Sequence, residues 1–262
     1  GGEGNDYIRG SYGNDTVTGG HGDDYVWGGY GDDRLVVEND FGNDTFYGDG
    51  INETNGDTLD LSAVTDNLRL DLRNADAERG SFTDGTWTAT FDEIEHIVLG
   101  SGTDTLVLAD YSGSDRVSGF AGPTQNPDGS WTGRDLLDVS DLTYNWGGRP
   151  VNTGDVVVTD DGNGNAVLTF PGGESLTLIG VDPADLTSAG ALHAIGIPLD
   201  LDHTVEGTSG DDLIDGGYLG DPEGDRVDAS DAANGSNDDL IDAGAGNDTV
   251  LAGAGNDSVI GG

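Results

Sequence analysis

Asp6, Asp15, Asp24 and Asp33 fall nine residues apart. Each closes a glycine-rich stretch: "GGEGND", "GSYGND", "GGHGDD" and "GGYGDD". Glycines let a turn visit positive φ and aim several carbonyl oxygens inward together. A carboxylate added to converging carbonyls makes a set of hard oxygen donors. That set suits calcium better than zinc or copper. One such turn supplies about three oxygens, whereas calcium takes roughly six to eight, so two turns must share each ion.

The elements that would position these turns follow from the same spacing. Six residues of turn leave three for a short strand. Two residues after each aspartate stands a large apolar side chain, Ile8, Val17, Val26 and Leu35. In a strand that residue faces one way and its neighbours the other. If successive nonapeptides alternate between two sheets, turns 18 residues apart stack on one side. Adjacent strands lie about 4.8 Å apart, close enough for two turns to hold one ion. The apolar residues then fill a thin interior. A fifth unit, "NDFGNDTFYG", is aligned on Asp44 and slipped by two residues. The pattern returns near the other end on Asp212, Asp239, Asp248 and Asp257, with Ile214, Ile241, Val250 and Val259 at the apolar position.

The repeated unit, written Gly-Gly-x-Gly-x-Asp-x-U-x with U a large apolar residue, resembles the RTX nonapeptide of type I secreted proteins. The resemblance implies a parallel β-roll and calcium held by main-chain and aspartate oxygens. It further implies which residues pair. One site would join Gly2, Gly4 and Asp6 to Gly19, His21 and Asp24. A second would join Ser11, Gly13 and Asp15 to Gly28, Tyr30 and Asp33. A third would join Gly20, Gly22 and Asp24 to Asn39, Phe41 and Asp44, across the two-residue slip. Toward the other end Gly235, Asn237 and Asp239 would pair with Ala252, Ala254 and Asp257. Asp248 needs a turn 18 residues earlier, inside "GDPEGDRVDASD", where Asp225 is the candidate.

The middle has a different texture. Short β-type runs such as "LRLDLR", "TWTATF" and "DTLVLA" alternate with turn residues. "DDGNGN" between "DVVVT" and "AVLTF" reads as a hairpin loop. A helix is expected only near "DPADLTSAGALHAIG", where Asp182 caps and Pro183 enters the first turn. "LGSGTDTLVLAD" is similar to a degenerate repeat with Asp104 at the ligand position. "GSDRVSGF" and "GRDLLDVSDLTY" are similar to segments near the C-terminal ends of type I secreted proteins.

Composition points the same way. The 262 residues carry 51 acids against 9 bases, all arginine, for a formal charge of -42. Such a chain repels nucleic acid and anionic lipid and attracts multivalent cations. Cysteine is absent, so no disulfide supports the fold. No apolar run is long enough to span a bilayer. The first residue is glycine and both ends fall inside repeats, so a piece of a longer chain is expected.

Catalytic patterns are weak. There is no His-Glu-x-x-His and no Gly-x-Ser-x-Gly. His96 lies among Asp92, Glu93 and Glu95, but reads as a strand residue on a polar face. In Asp23–Asp24 and Asp32–Asp33 one acid should face an ion and the other solvent. Trp27, Trp87, Trp131 and Trp146 could stack on sugars and equally pack within a β fold.

The expected fold is all-β. RTX β-roll blocks at 1–50 and 205–262 would flank a β-rich middle, 51–204, of solenoid or sandwich type. The expected protein is an extracellular or cell-surface calcium module without catalytic residues of its own. It folds on calcium ions and serves as a secretion-associated scaffold. The resemblance implies the type I secretion apparatus as a partner; neither nucleic acid nor membrane insertion is expected. Two other readings stay open. One is a calcium-dependent adhesin or surface-layer element, binding glycans or its own copies. The other is the scaffold of a secreted hydrolase whose catalytic domain lies elsewhere.

Overall fold

A computed structural model describes residues 1–144, 148–200, 203–221, 225–228 and 236–262. The chain is nearly all β. The dominant feature is a pair of eight-stranded sheets. One begins with Tyr7–Tyr12, Tyr25–Tyr30 and Thr45–Tyr47, and the other with Thr16–Thr18, Arg34–Val36 and Thr58–Asp60. Successive nonapeptides therefore alternate between the sheets. Their strands pair in parallel at a separation of 18, Ile8 opposite Val26 and Val17 opposite Leu35. The two-residue slip is absorbed between strand and turn, so that Val26 pairs with Phe46.

Both sheets run unbroken past residue 50. Thr58–Asp60 pairs with His96–Val98, which pairs with Ser114–Ser118. In the other sheet, a hairpin of Gly80–Thr83 and Thr88–Asp92 inserts between Thr45–Tyr47 and Arg69–Asp71. Parallel stacking then resumes through Thr105–Ala109 and Leu136–Asp141. An antiparallel hairpin of Val157–Asp160 and Ala166–Thr169 follows Ser175–Ile179 at the far edge of the second sheet, its loop formed by "DDGNGN". One hydrophobic cluster fills the space between the sheets, from Val17 to Ile197, with Phe46, Leu59, Leu70, Phe91, Leu106 and Leu178 fully enclosed.

The expected helical segment becomes a 3-10 turn, Pro183–Leu186, capped by Asp182, and a short helix, Ala189–Ala194, capped by Ser188. A second, smaller cluster comprises Val205, Ile214, Val227, Ile241 and Ala243. It is enclosed by Thr204–Glu206, Leu240–Asp242 and Ser258–Ile260 on one side and Leu213–Ile214 with Thr249–Val250 on the other.

Asp115 breaks the inward apolar pattern. It stands on the buried side of Ser114–Ser118 opposite Leu176, 5% exposed, and its Oδ2 has no partner. Burial alone pushes its carboxyl up to about 8 from 3.8. The neutral form is thus favoured by folding. The resulting stabilisation is complete below the unfolded pKa, declines as pH rises, and is gone above about pH 8. The slope is at most about 1.4 kcal/mol per pH unit. Asp115→Asn removes the titration. In saturating calcium, its melting temperature should gain on the native chain as pH rises from 5 to 8.5, by roughly 4–8 °C at the upper end. A gap independent of pH would show that Asp115 is hydrated.

Candidate metal centres

The turns stack because each coil hydrogen-bonds to the next. Gly2 and Gly4 N–H donate to the carbonyls of Gly19 and His21, at 3.2 and 2.8 Å. Gly13 N–H donates to the Tyr30 carbonyl at 2.8 Å. The aspartates form columns along this stack. Asp6 N–H donates to Asp24 Oδ1 and Asp24 N–H to Asp44 Oδ1, both at 2.8 Å. On the other side Asp15 N–H donates to Asp33 Oδ1 at 2.7 Å and Asp33 N–H to Asp57 Oδ1 at 2.6 Å. Asp57 N–H in turn reaches Glu95 Oε2.

In Asp24, Asp33, Asp44 and Asp57 one carboxylate oxygen is thereby committed to the backbone. Oδ2 is buried without a partner in Asp15, Asp24, Asp33, Asp57 and Asp104. Its surroundings are shown by what a side chain at the first glycine of each unit would meet. A methyl built on Gly10 would stand 2.7 Å from Asp15 Oδ2 and closer still to the carbonyl of Gly28, one coil on. A methyl on Gly1 would run into Asp6 Oδ2 and the carbonyl of Gly19. The two oxygens thus converge on one point from adjacent coils. Hard-donor oxygens brought together with spare lone pairs fit calcium.

The first two expected sets are therefore brought together by the stacking: Gly2, Gly4 and Asp6 with Gly19, His21 and Asp24, and Ser11, Gly13 and Asp15 with Gly28, Tyr30 and Asp33. Of the third, Asp24 and Asp44 are brought together across the slip. The Gly22 carbonyl lies against Gly42, and Asp24 meets Asp44. There Asn39 turns its amide to Thr65, 3.1 Å away, and Phe41 packs on Phe82 in the core. In the smaller unit Asp239 N–H donates to Asp257 Oδ1 at 3.1 Å, and the Asn237 carbonyl lies against Gly255, next after Ala254. Gly235 and Trp146 lie outside the described residues.

Asp248 corrects one expectation. Its partner is Asp212, 36 residues earlier, whose N–H donates to Asp248 Oδ1 at 3.0 Å. Leu213–Ile214 pairs directly with Thr249–Val250. Asp225 is instead buried, its N–H donating to Asp221 Oδ1.

The paired acids divide as their positions require. Asp32 accepts N–H bonds from Thr54 and Asn55 at the surface, which hold it down at about 2. Asp33 turns inward, 2% exposed, and burial raises it. Burial likewise pushes Asp44 up to about 7 and Asp57 up to about 8, although each accepts a backbone N–H that acts the other way. Six arginines pair with acids, Arg34 with Asp60 and Arg79 with Asp92 among them. One of these, the Arg134–Asp135 pair at 3.3 Å, involves a column acid.

Sequence reasoning reached Asp104 but missed Asp57, Glu95 and Asp135. Leu68 N–H donates to Asp104 Oδ1 and Asp104 N–H to Asp135 Oδ1, at 2.9 and 3.0 Å. All three missed acids precede a strand by the same step, with Leu59, Ile97 and Leu137 two residues on and buried. The other rival chemistry has ordinary explanations. His96 Nε2 meets the Asn55 carbonyl at 2.9 Å. One face of Trp27 is covered by Arg9, 3.6 Å away, and Trp87 packs against the core.

Stacked acidic turns with converging, uncommitted oxygens define a repeat protein built to take up hard cations. Four copies of the RTX calcium-binding nonapeptide repeat match residues 1–35, 204–218 and 234–262. These matched segments, less than half of the chain, carry RTX calcium-binding repeats, which occur in proteins of type I secretion. No curated protein matches the sequence. No helix of the described residues is long and apolar enough to cross a membrane.

Proposed function

We propose that this chain is a calcium-dependent structural module of a secreted protein, filled with calcium outside the cell and holding its form there without catalysing a reaction. The observation that carries the reading is the meeting of an aspartate Oδ2 with a carbonyl from the neighbouring coil, at Asp6 with Gly19 and at Asp15, whose Oδ2 is buried, with Gly28. Calcium bound there would supply charge neutralisation and a tie between coils. The protein's own part is to fix the oxygens. In Asp24 and Asp33, Oδ1 is anchored to the N–H of Asp6 and of Asp15 one coil back, which fixes the aim of Oδ2. The position 5 side chains link the coils on the solvent side. Asn5 and Asn14 Oδ1 accept N–H bonds from Asp23 and Asp32.

Without calcium, 51 acids against 9 bases repel one another, and the chain stays loose enough for export through a type I channel. Outside, binding energy becomes folding energy. Calcium added to EGTA-treated protein should restore the β-type circular dichroism signal, with a midpoint of about 0.1–1 mM, the range of extracellular calcium modules. A spectrum identical in EGTA and in calcium would rule the coupling out.

A further inference from the structure

Beyond the matched repeats the second column continues into irregular sequence. There an oxygen from each of Glu53, Asp57 and Glu95 lies within 4.8 Å of the others. Acids cluster often on so acidic a surface, but this group has a second property. Asp57 is fully buried, and its Oδ2, like Glu53 Oε1, is enclosed without a hydrogen-bond partner. The space it faces is of the kind seen in the repeats. A methyl built on Gly48 would run into Asp57 Oδ2 and the carbonyl of Glu93, as one on Gly10 would meet Asp15 Oδ2 and the carbonyl of Gly28. The backbone path differs, with longer loops on both sides, yet the same two kinds of oxygen converge from adjacent coils. A third acid, Glu53, comes from the enlarged turn "DGINETNG" and has no counterpart in the nonapeptide.

We propose that Glu53, Asp57 and Glu95, with the Glu93 carbonyl, hold a further divalent cation in the non-repeat part of the chain. The oxygen donors and their irregular arrangement suit calcium rather than magnesium, which demands near-ideal octahedral geometry. Three carboxylates carry more charge than the two of a repeat turn pair, and affinity rises with ligand charge. This site therefore fills first and fastens the coil at Thr58–Asp60 to that at His96–Val98. The proposal rests on the calcium reading of the repeats only for the identity of the ion.

The test is calorimetric titration of the whole chain with calcium chloride, backed by terbium luminescence. The comparison is the native chain against Glu53→Gln, Glu95→Gln and the repeat variant Asp24→Asn. Glutamine keeps an oxygen able to accept the Asp57 N–H, and Glu53 is not needed for it, so folding is expected to survive; circular dichroism in calcium checks this. Glu53→Gln and Glu95→Gln should each weaken the tightest class about tenfold or more or remove one calcium equivalent, and leave the weaker class intact. Asp24→Asn should do the reverse. Loss at Glu53→Gln with no effect of Asp24→Asn would support this site and count against the repeat cages. Unchanged stoichiometry and affinity in both glutamate variants would overturn the proposal, as would a native chain that binds no calcium.

Discussion

Gly31→Ala is expected to lower the melting temperature in saturating calcium by roughly 6–12 °C, and Gly13→Ala by less than half as much. Both glycines occupy the fourth position of a unit in the same column, with φ of 105° at Gly13 and 114° at Gly31. Any side chain there carries the left-handed penalty of about 1–2 kcal/mol. The two differ in what lies behind them. A methyl on Gly13 meets nothing within 4 Å, whereas one on Gly31 would stand 2.7 Å from the Gly13 carbonyl. Relief would require the coils to separate, and the Asp15–Asp33 bond with them. That brings the total for Gly31→Ala to about 3 kcal/mol or more. The same contrast explains Ser11, a non-glycine at φ 97°. Gly29, one coil later, faces Ser11 with its carbonyl 2.5 Å from where a Cβ would stand. Equal losses in the two variants would mean that coil stacking is looser than described.

Calcium removal should act unevenly along the chain. Among the described residues the smaller cluster has five buried members, while the larger extends from Val17 to Ile197 and includes four enclosed phenylalanines. A thin core cannot offset the entropy of ordering its coils. Residues 204–262 therefore depend on bound ions more than Arg69–Asp71, Thr105–Ala109 or Ser175–Ile179 do. In hydrogen exchange, EGTA should cost the amides of Leu240–Asp242 at least about 100-fold in protection, the linkage expected where free calcium stands about 100-fold above its dissociation constant. The strands around Leu106 and Leu178 should keep more. A uniform loss would show that the middle region has no independent core, and no loss anywhere would remove calcium from the account.

The repeats were legible because stacking at a fixed separation forces a fixed period. Ile8 opposite Val26 follows directly from counting residues. The continuation of the sheets through the middle was not legible by period. Thr58 pairs with Arg34 across 24 residues and with His96 across 38. A solenoid constrains the strand and the turn residues that touch the next coil, and leaves the rest of each loop free to lengthen outward. What survives is a shorter signal, an acid, any residue, then a large apolar one: Asp57-Thr-Leu59, Glu95-His-Ile97, Asp104-Thr-Leu106 and Asp135-Leu-Leu137. Asp115-Arg-Val117 carries the same signal and breaks the rule. Its strand starts two residues earlier relative to the acid, with Ser114 opposite Ser175, so that the acid lies within the strand opposite Leu176. Sequence alone could not show that extension, because Val117 keeps the register of the other coils, opposite Ile97. The partner of Asp248 was hidden for a related reason, since Leu213 stands opposite Thr249 across 36 residues rather than 18.

The account rests on cations shared between neighbouring coils, and diffraction shows these most directly. Crystals grown in calcium, measured at a wavelength where calcium scatters anomalously, should give peaks between Asp6 Oδ2 and the Gly19 carbonyl and between Asp15 Oδ2 and the Gly28 carbonyl. Coils stacked in the same register, with anomalous density absent from both points, would contradict it.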